Sequence, residues 1–241
     1  MLHRIVLVHG AWHGAWCWEH LTPSLEARRF EVDTLDLPGL GADQTPATDV
    51  TLDAYIDRVV SVVNAGRLPV LLAGHSMGGM VISGVAERIP AAIGKLVYLT
   101  ALLPRDGESL VDVASVGTDG AATAALEPNA ADGAHLVDRS VAADLFYNCC
   151  SPELADHAAQ RLRPQSLRPL LTPLRLSADR WGRIPMSYIL CTQDHALPLR
   201  QQQALCDRRP GIKKIVVDAD HSPFYSTPQR LAETLDMEAR S

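Results

Sequence analysis

The sequence predicts an α/β protein: a doubly wound, mostly parallel sheet with a helical cap inserted over one end of its strands. Two observations predict it. Continuously apolar runs such as Ile5-Val6-Leu7-Val8 and Val70-Leu71-Leu72-Ala73 alternate with amphipathic stretches. Strands that are apolar on both faces belong to a parallel sheet covered by helices on both sides. The alternation breaks once, between about residues 104 and 183, where the chain becomes rich in Ala, Leu, Arg and Pro.

Taken in order, strands are expected at residues 4–8, 30–35, 70–73, 95–100, 187–191 and 213–217. Helices are expected near 16–29, 52–65, 77–88, 199–206 and 229–238, where apolar residues recur at helical spacing. The core then comprises residues 1–103 and 184–241, and the cap residues 104–183. Inside the cap, helix-like pieces at 137–148 and 151–161 follow a small, polar, loop-like stretch at 117–133. Ligand sites of open parallel sheets form at the carboxyl ends of the strands, so the chemistry is sought in the loops that follow each strand.

Composition excludes several classes. At 241 residues, 47% apolar and 21% charged, the chain is neither disordered nor collagen-like nor a small disulfide scaffold. Twenty-two basic against 28 acidic residues give a net charge of −6. That leaves no basic excess for phosphates, so nucleic acid is not an expected partner. The five cysteines are odd in number and lack CxxC or Cys/His zinc spacing. They read as buried apolar residues in a reducing cytoplasm, and adjacency strains any Cys149-Cys150 disulfide. The apolar run at 5–8 is too short for a signal-peptide core or a membrane span. A cytoplasmic protein without membrane, metal or organic cofactor is expected, and nothing in the pattern sets an oligomeric state.

The strongest signal is Gly74-His75-Ser76-Met77-Gly78, followed by Gly79, between an expected strand and an expected helix. This is the context a G-x-S-x-G nucleophile needs. The serine sits on a tight, strained turn whose flanking positions must be glycine, and the helix N-terminus points its free N–H groups at the substrate. Ser76 is the candidate nucleophile; His75 points elsewhere in such a turn and reads as packing.

A serine hydroxyl needs a base, and in this arrangement the chain order is Ser, then Asp or Glu, then His. His221, in the loop after the last strand, is the candidate base. Asp194, in the loop after residues 187–191, is the candidate acid that holds the imidazole, with Asp106 as rival. Asp220 adjoins His221 and cannot easily turn back onto its ring; His195 reads as loop surface. Developing negative charge needs two fixed donors. Met77 N–H supplies one, and Ala11 N–H the other, because Gly10 and Ala11 let the backbone come close. Gly10, Trp12, Trp16, Leu102, Phe146, Tyr147 and Trp181 are the candidate pocket walls. Asp36-Leu37-Pro38-Gly39-Leu40-Gly41 lacks the third glycine of a dinucleotide loop and reads as a turn.

Five stretches then carry a resemblance: residues 6–18 (VLVHGAWHGAWCW), 36–41 (DLPGLG), 73–79 (AGHSMGG), 191–198 (CTQDHALP) and 218–228 (DADHSPFYSTP). The chain resembles the α/β-hydrolase superfamily, in the branch of hydroxynitrile lyases and plant methylesterases with bacterial carboxylesterases. The match is weakest in the cap. The resemblance implies the α/β-hydrolase fold, a triad of Ser76, Asp194 and His221, and oxyanion donors at Ala11 and Met77, in agreement with the residue-by-residue reading. Two departures bear on activity. The lyases carry a threonine where this chain has Gly10, and a lysine where it has Ser222. A cyanide leaving group wants a nearby cation, so hydrolysis of a small or medium carboxylic ester is the favoured expectation. Aryl methyl esters and pyrethroid-like esters both fit. Lyase or lactonase activity at the same site, or a ligand receptor without turnover, are the alternatives.

Overall fold

The structure, a computed structural model, describes residues 2–118 and 133–241. Its strands, in chain order, are β1 (Arg4–Val8), β2 (Glu31–Thr34), β3 (Val70–His75), β4 (Ile93–Leu99), β5 (Ala134–His135), β6 (Gln165–Ser166), β7 (Met186–Cys191) and β8 (Lys213–Val217). Six of them form one wholly parallel sheet in the order β2-β1-β3-β4-β7-β8, and β5 pairs antiparallel with β6 as a separate ribbon. The helices are α1 (Thr22–Glu26), α2 (Leu52–Asn64), α3 (Gly78–Arg88), α4 (Leu110–Ala114), α5 (Arg139–Phe146), α6 (Pro152–Gln160), α7 (Leu167–Leu171), α8 (Leu199–Asp207), α9 (Pro223–Ser226) and α10 (Pro228–Arg240).

The two-residue period of the strands sorts their side chains into two cores, one on each face of the sheet. Val6, Val8, Leu72, Tyr98 and Leu190 meet Tyr55, Val59 and Val63 of α2 and Val81 and Val85 of α3. Ile5, Leu7, Leu71, Val97 and Ile189 meet Leu25 of α1 and Leu231 and Leu235 of α10. This double burial is why the strands are apolar without alternation. The elements between residues 104 and 183 join the same clusters: Leu110 and Leu170 enter the first, Phe146 and Ala158 the second.

Helix starts follow local capping chemistry. Thr51 Oγ1 accepts Ala54 N–H at 3.0 Å at the head of α2, and Ser109 with Asp112 forms a reciprocal capping box on α4. The expected helix at 16–29 is instead a 3₁₀ turn, Ala15–Trp18, followed by α1, with Pro23 in its first turn. The β5–β6 ribbon is an addition to the expected cap. Of the loop-like stretch at 117–133, residues 119–132 lie outside the described residues. Ion pairs with a buried partner lie toward the amino ends of the strands, with buried Arg4 to part-exposed Asp33 at 2.6 Å and Lys95 to buried Glu238 at 2.8 Å, away from the carboxyl ends, where the site lies. No helix among the described residues is long and apolar enough to cross a membrane.

Candidate active site

Chain order brings β3 straight into α3, and Ser76 sits at the junction with φ +52°. A non-glycine residue holds that left-handed conformation only when its surroundings over-determine it. They do so here. Ser76 N–H donates to Leu99 O at 3.3 Å, and its carbonyl accepts Gly79 N–H at 3.0 Å and Leu102 N–H at 3.1 Å. A Cβ on Gly74 would stand 2.6 Å from Gly78 O, and one on Gly78 2.7 Å from Val8 O. The two glycines are thus what allow β1, β3 and α3 to close around the turn.

His221, in the loop after β8, and Asp194, in the loop after β7, meet across that loop pair. His221 Nδ1–H donates to Asp194 Oδ2 at 2.7 Å, both side chains being almost wholly buried. Asp194 is itself fixed on both oxygens. Oδ1 accepts Ala196 N–H at 2.8 Å and Leu197 N–H at 2.7 Å, and Oδ2 also accepts the Thr100 hydroxyl. A carboxylate can only accept, so Nδ1 of His221 carries the proton and Nε2 is left basic. Ser76 and His221 line one cavity. The Ser76 hydroxyl makes no hydrogen bond among the described residues, to His221 or to any other side chain; what the two share is the cavity.

Close to Ser76 in the fold are three buried histidines whose tautomers follow from their partners. His9 donates from Nδ1 to Gly10 O (2.8 Å) and accepts Leu37 N–H at Nε2 (3.1 Å). His13 donates to Ala11 O (2.7 Å) and accepts the Tyr147 hydroxyl (2.8 Å). His75 donates from Nε2 to the carbonyl of His221 (2.8 Å). Burial holds His9 down at about 4 and His13 at about 3 against an ordinary 6.5. Burial, then the neighbouring imidazoles of His221 and His13, holds His75 well below the ordinary range. All three are therefore neutral at pH 7 and put no positive charge behind the site.

Ser76, Met77, Ala11 and His221 open on a cavity of about 720 Å³. Neither Ala11 N–H nor Met77 N–H is taken by a hydrogen bond among the described residues, so both can receive an oxyanion. The walls are mainly apolar, from Trp12, Leu102, Leu110, Val137, Phe146 and Leu197, with Val141, 52% exposed, at the mouth.

A profile of the alpha/beta hydrolase family matches residues 5–234. The chain belongs to that family. The carbendazim hydrolyzing esterase of Nocardioides sp. (strain SG-4G) is 33% identical to this alpha/beta hydrolase over 243 residues, covering 96% of this chain and 98% of that protein. Putative methylesterase 11, chloroplastic, of Arabidopsis thaliana is 31% identical over 254 residues, covering 97% of this chain and 63% of that protein. The chain spans 55–63% of the length of putative methylesterases 13 and 11. The crystal structure of a pyrethroid hydrolase from Sphingobium faniae JZ-2 matches with a TM-score of 0.84 at 28% identity, covering 100% of this chain and 98% of that one. The hydrolase thus groups with plant methylesterases and bacterial esterases.

Within this alpha/beta hydrolase, several expected wall residues lie elsewhere. Trp181 is buried in the core of the α3 face. It donates from Nε1 to Tyr98 Oη at 2.9 Å and lies under the Arg209 guanidinium. Trp16 stacks on His13 and is covered by Arg161, and Tyr147 is spent on His13. Gly10 stands behind the site, where a Cβ would meet His75 Nδ1 and Ser76 Cβ at 2.9 Å. Trp12, Leu102 and Phe146 do line the cavity. Asp106 instead accepts Leu176 N–H at 2.9 Å, and the imidazole of His221 is held by Asp194. Asp220 turns away from its neighbour's ring to accept Cys149 N–H, Ser222 N–H and the Ser226 hydroxyl. The cysteines are free, and burial beside Asp220 pushes the Cys150 thiol up to about 12. His195 is on the surface but also on the cavity rim, its Nδ1 3.0 Å from Asp144 O. Thr100 and His135 are among the residues that escaped the sequence reading. Thr100, just past the end of β4, supports Asp194, and its place at a carboxyl strand end was the available signal. His135 lines the cavity from β5, and a two-residue strand has no periodicity to announce it.

Proposed function

We propose that this alpha/beta hydrolase is a serine carboxylesterase acting on carboxylic esters with a bulky apolar part. The supporting observation is one cavity holding a strained serine, an aspartate-oriented imidazole and two open backbone donors. Ser76 Oγ attacks the ester carbonyl as His221 Nε2 takes its proton. The oxyanion rests on Ala11 and Met77 N–H. The imidazolium, steadied by Asp194, returns the proton to the leaving alcohol, and the acyl-enzyme is then cleaved by a water that His221 deprotonates.

Residues 104–183 act as the cap that roofs this cavity. Its volume and apolar walls favour esters with an aromatic acyl or alcohol group. Aryl methyl esters, carbendazim-type and pyrethroid-type esters are the classes suggested by the names of the relatives. Cyanohydrin cleavage is disfavoured by an observation at the site: the residue after His221 is the fully buried, uncharged Ser222, which offers no cation to a leaving cyanide.

The test is Ser76→Ala with p-nitrophenyl acetate. Turnover should fall by on the order of 10⁶. A variant that still hydrolyses the ester at the wild-type rate overturns the nucleophile. Multiple rapid turnovers by the wild type separate an esterase from a receptor, which would be acylated once and stop.

A further inference from the structure

We propose that His135 is a specificity-determining residue: it donates a hydrogen bond from Nε2 to an acceptor oxygen in the substrate, on the part of the ester remote from the scissile carbonyl. The inference rests on the esterase reading above and names the substrate class, bulky esters bearing an ether or carbonyl oxygen in their apolar portion.

His135 lines the same cavity as Ser76 and His221. Its Nδ1 is shut away from solvent with no hydrogen-bond partner. A buried N–H without an acceptor is rarer and costlier than an under-used lone pair, so the proton is assigned to Nε2. The ring is half-buried and Nδ1 is on the closed side, so Nε2 is the nitrogen left to face the cavity.

The donor is also held in place. His135 pairs with Gln165 in the β5–β6 ribbon, and its carbonyl accepts the Trp12 indole N–H at 2.9 Å. Other polar side chains on the wall are already engaged by this protein. Gln201 Nε2 donates to Ala114 O at 2.6 Å, Thr118 Oγ1 to Ser115 O at 2.9 Å, and Arg200 Nη2 to Gly117 O at 2.9 Å. The His135 imidazole makes no hydrogen bond among the described residues. Against a mainly apolar wall, a pre-placed donor discriminates: an acceptor set against it gains a hydrogen bond, and an apolar atom there leaves it unpaired.

The experiment uses two esters that differ in one atom, 3-phenoxybenzyl acetate and 3-benzylbenzyl acetate, an ether oxygen replaced by a methylene. The wild-type enzyme should favour the ether in kcat/KM by roughly tenfold, the size of one net hydrogen bond. His135→Phe should bring the ratio close to one, and His135→Gln, which retains a donor, should restore part of it. Because each ratio is taken within one protein, a general loss of activity cancels. A wild-type ratio near one overturns the proposal, as does a ratio that survives in His135→Phe. If His135→Phe does not fold, His135→Met reads the same ratio. Failure of the esterase reading looks different: p-nitrophenyl acetate is then not turned over by the wild type, or is turned over equally by Ser76→Ala.

Discussion

Ser76, Asp194 and His221 stand on loops at the ends of β3, β7 and β8, strands that are hydrogen-bonded along their length within one sheet. Much of the wall facing them comes from short elements, among them a two-residue strand, β5, and an eight-residue helix, α5. Floor and roof of the cavity therefore differ in how they are held. On the floor, the backbone of Ser76 and the side chains of Asp194 and His221 are fixed by hydrogen bonds to neighbours from other strands. The roof is held by packing against the cores and by a few cross-links such as Trp12 to His135. Precise geometry belongs where several rigid elements meet. A surface that selects substrate shape can sit on shorter, less constrained elements.

The contrast is broken most directly at Asp194. Asp194→Asn should lower kcat on p-nitrophenyl acetate by on the order of 10⁴, because an amide in place of the carboxylate favours the wrong tautomer of His221. Leu145→Ala, on the roof, should act mainly on KM for bulky esters and change kcat by less than about tenfold. Steady-state kinetics of both variants check this. Equal effects on kcat would mean that floor and roof are not separable.

A second expectation concerns the floor's response to acid. His9, His13 and His75 are held neutral by burial, His9 down at about 4 and His13 at about 3. The unfolded chain protonates each near 6.5, whereas the folded chain resists until the lower values. The stabilisation is therefore complete above pH 6.5 and is lost as pH falls below it. Between pH 6.5 and 5 the loss is on the order of 2 kcal/mol each for His9 and His13, and His75 adds to it in the same direction. Urea unfolding at pH 7 and pH 5 measures it, with a lower midpoint expected at pH 5. An unchanged midpoint would show that these imidazoles are not buried neutral.

The same division explains what could be read from the sequence. Strands buried on both faces announce themselves as apolar runs, and a glycine-flanked serine between strand and helix has few other structural meanings. Asp194 and His221 were legible because a parallel sheet sends its loops to one edge. Trp181 was misplaced because an indole in a pocket wall and one in a core have the same composition signal. Its Nε1 found Tyr98, across the sheet in sequence terms, which no local pattern reveals. Trp16 and Tyr147 mislead in the same way, since both are drawn to His13. Leu110, Leu145 and Leu170 line the cavity, yet nothing in a helix-like stretch states which of its faces looks at a nucleophile. The ribbon that carries His135 is set by pairing across 30 residues of chain.

The smallest effect tests the connection between the two regions. Trp12 holds φ at +63° beside Ala11, the proposed oxyanion donor. Its carbonyl accepts Arg163 N–H at 2.9 Å, and its indole N–H reaches His135 O at 2.9 Å. The loop that carries Ala11 is thus tied at both backbone and side chain to residues beyond the sheet. Trp12→Phe keeps an aromatic wall but removes the indole donor. It should lower kcat by about tenfold, the value of one hydrogen bond expressed as misplacement of the Ala11 amide, with a thermal midpoint shift of about 4 °C or less. A change confined to KM would mean that the roof merely touches the substrate. A fall in kcat with KM held would mean that the roof helps to set the geometry of the floor, because only an interaction made in the transition state lowers kcat alone.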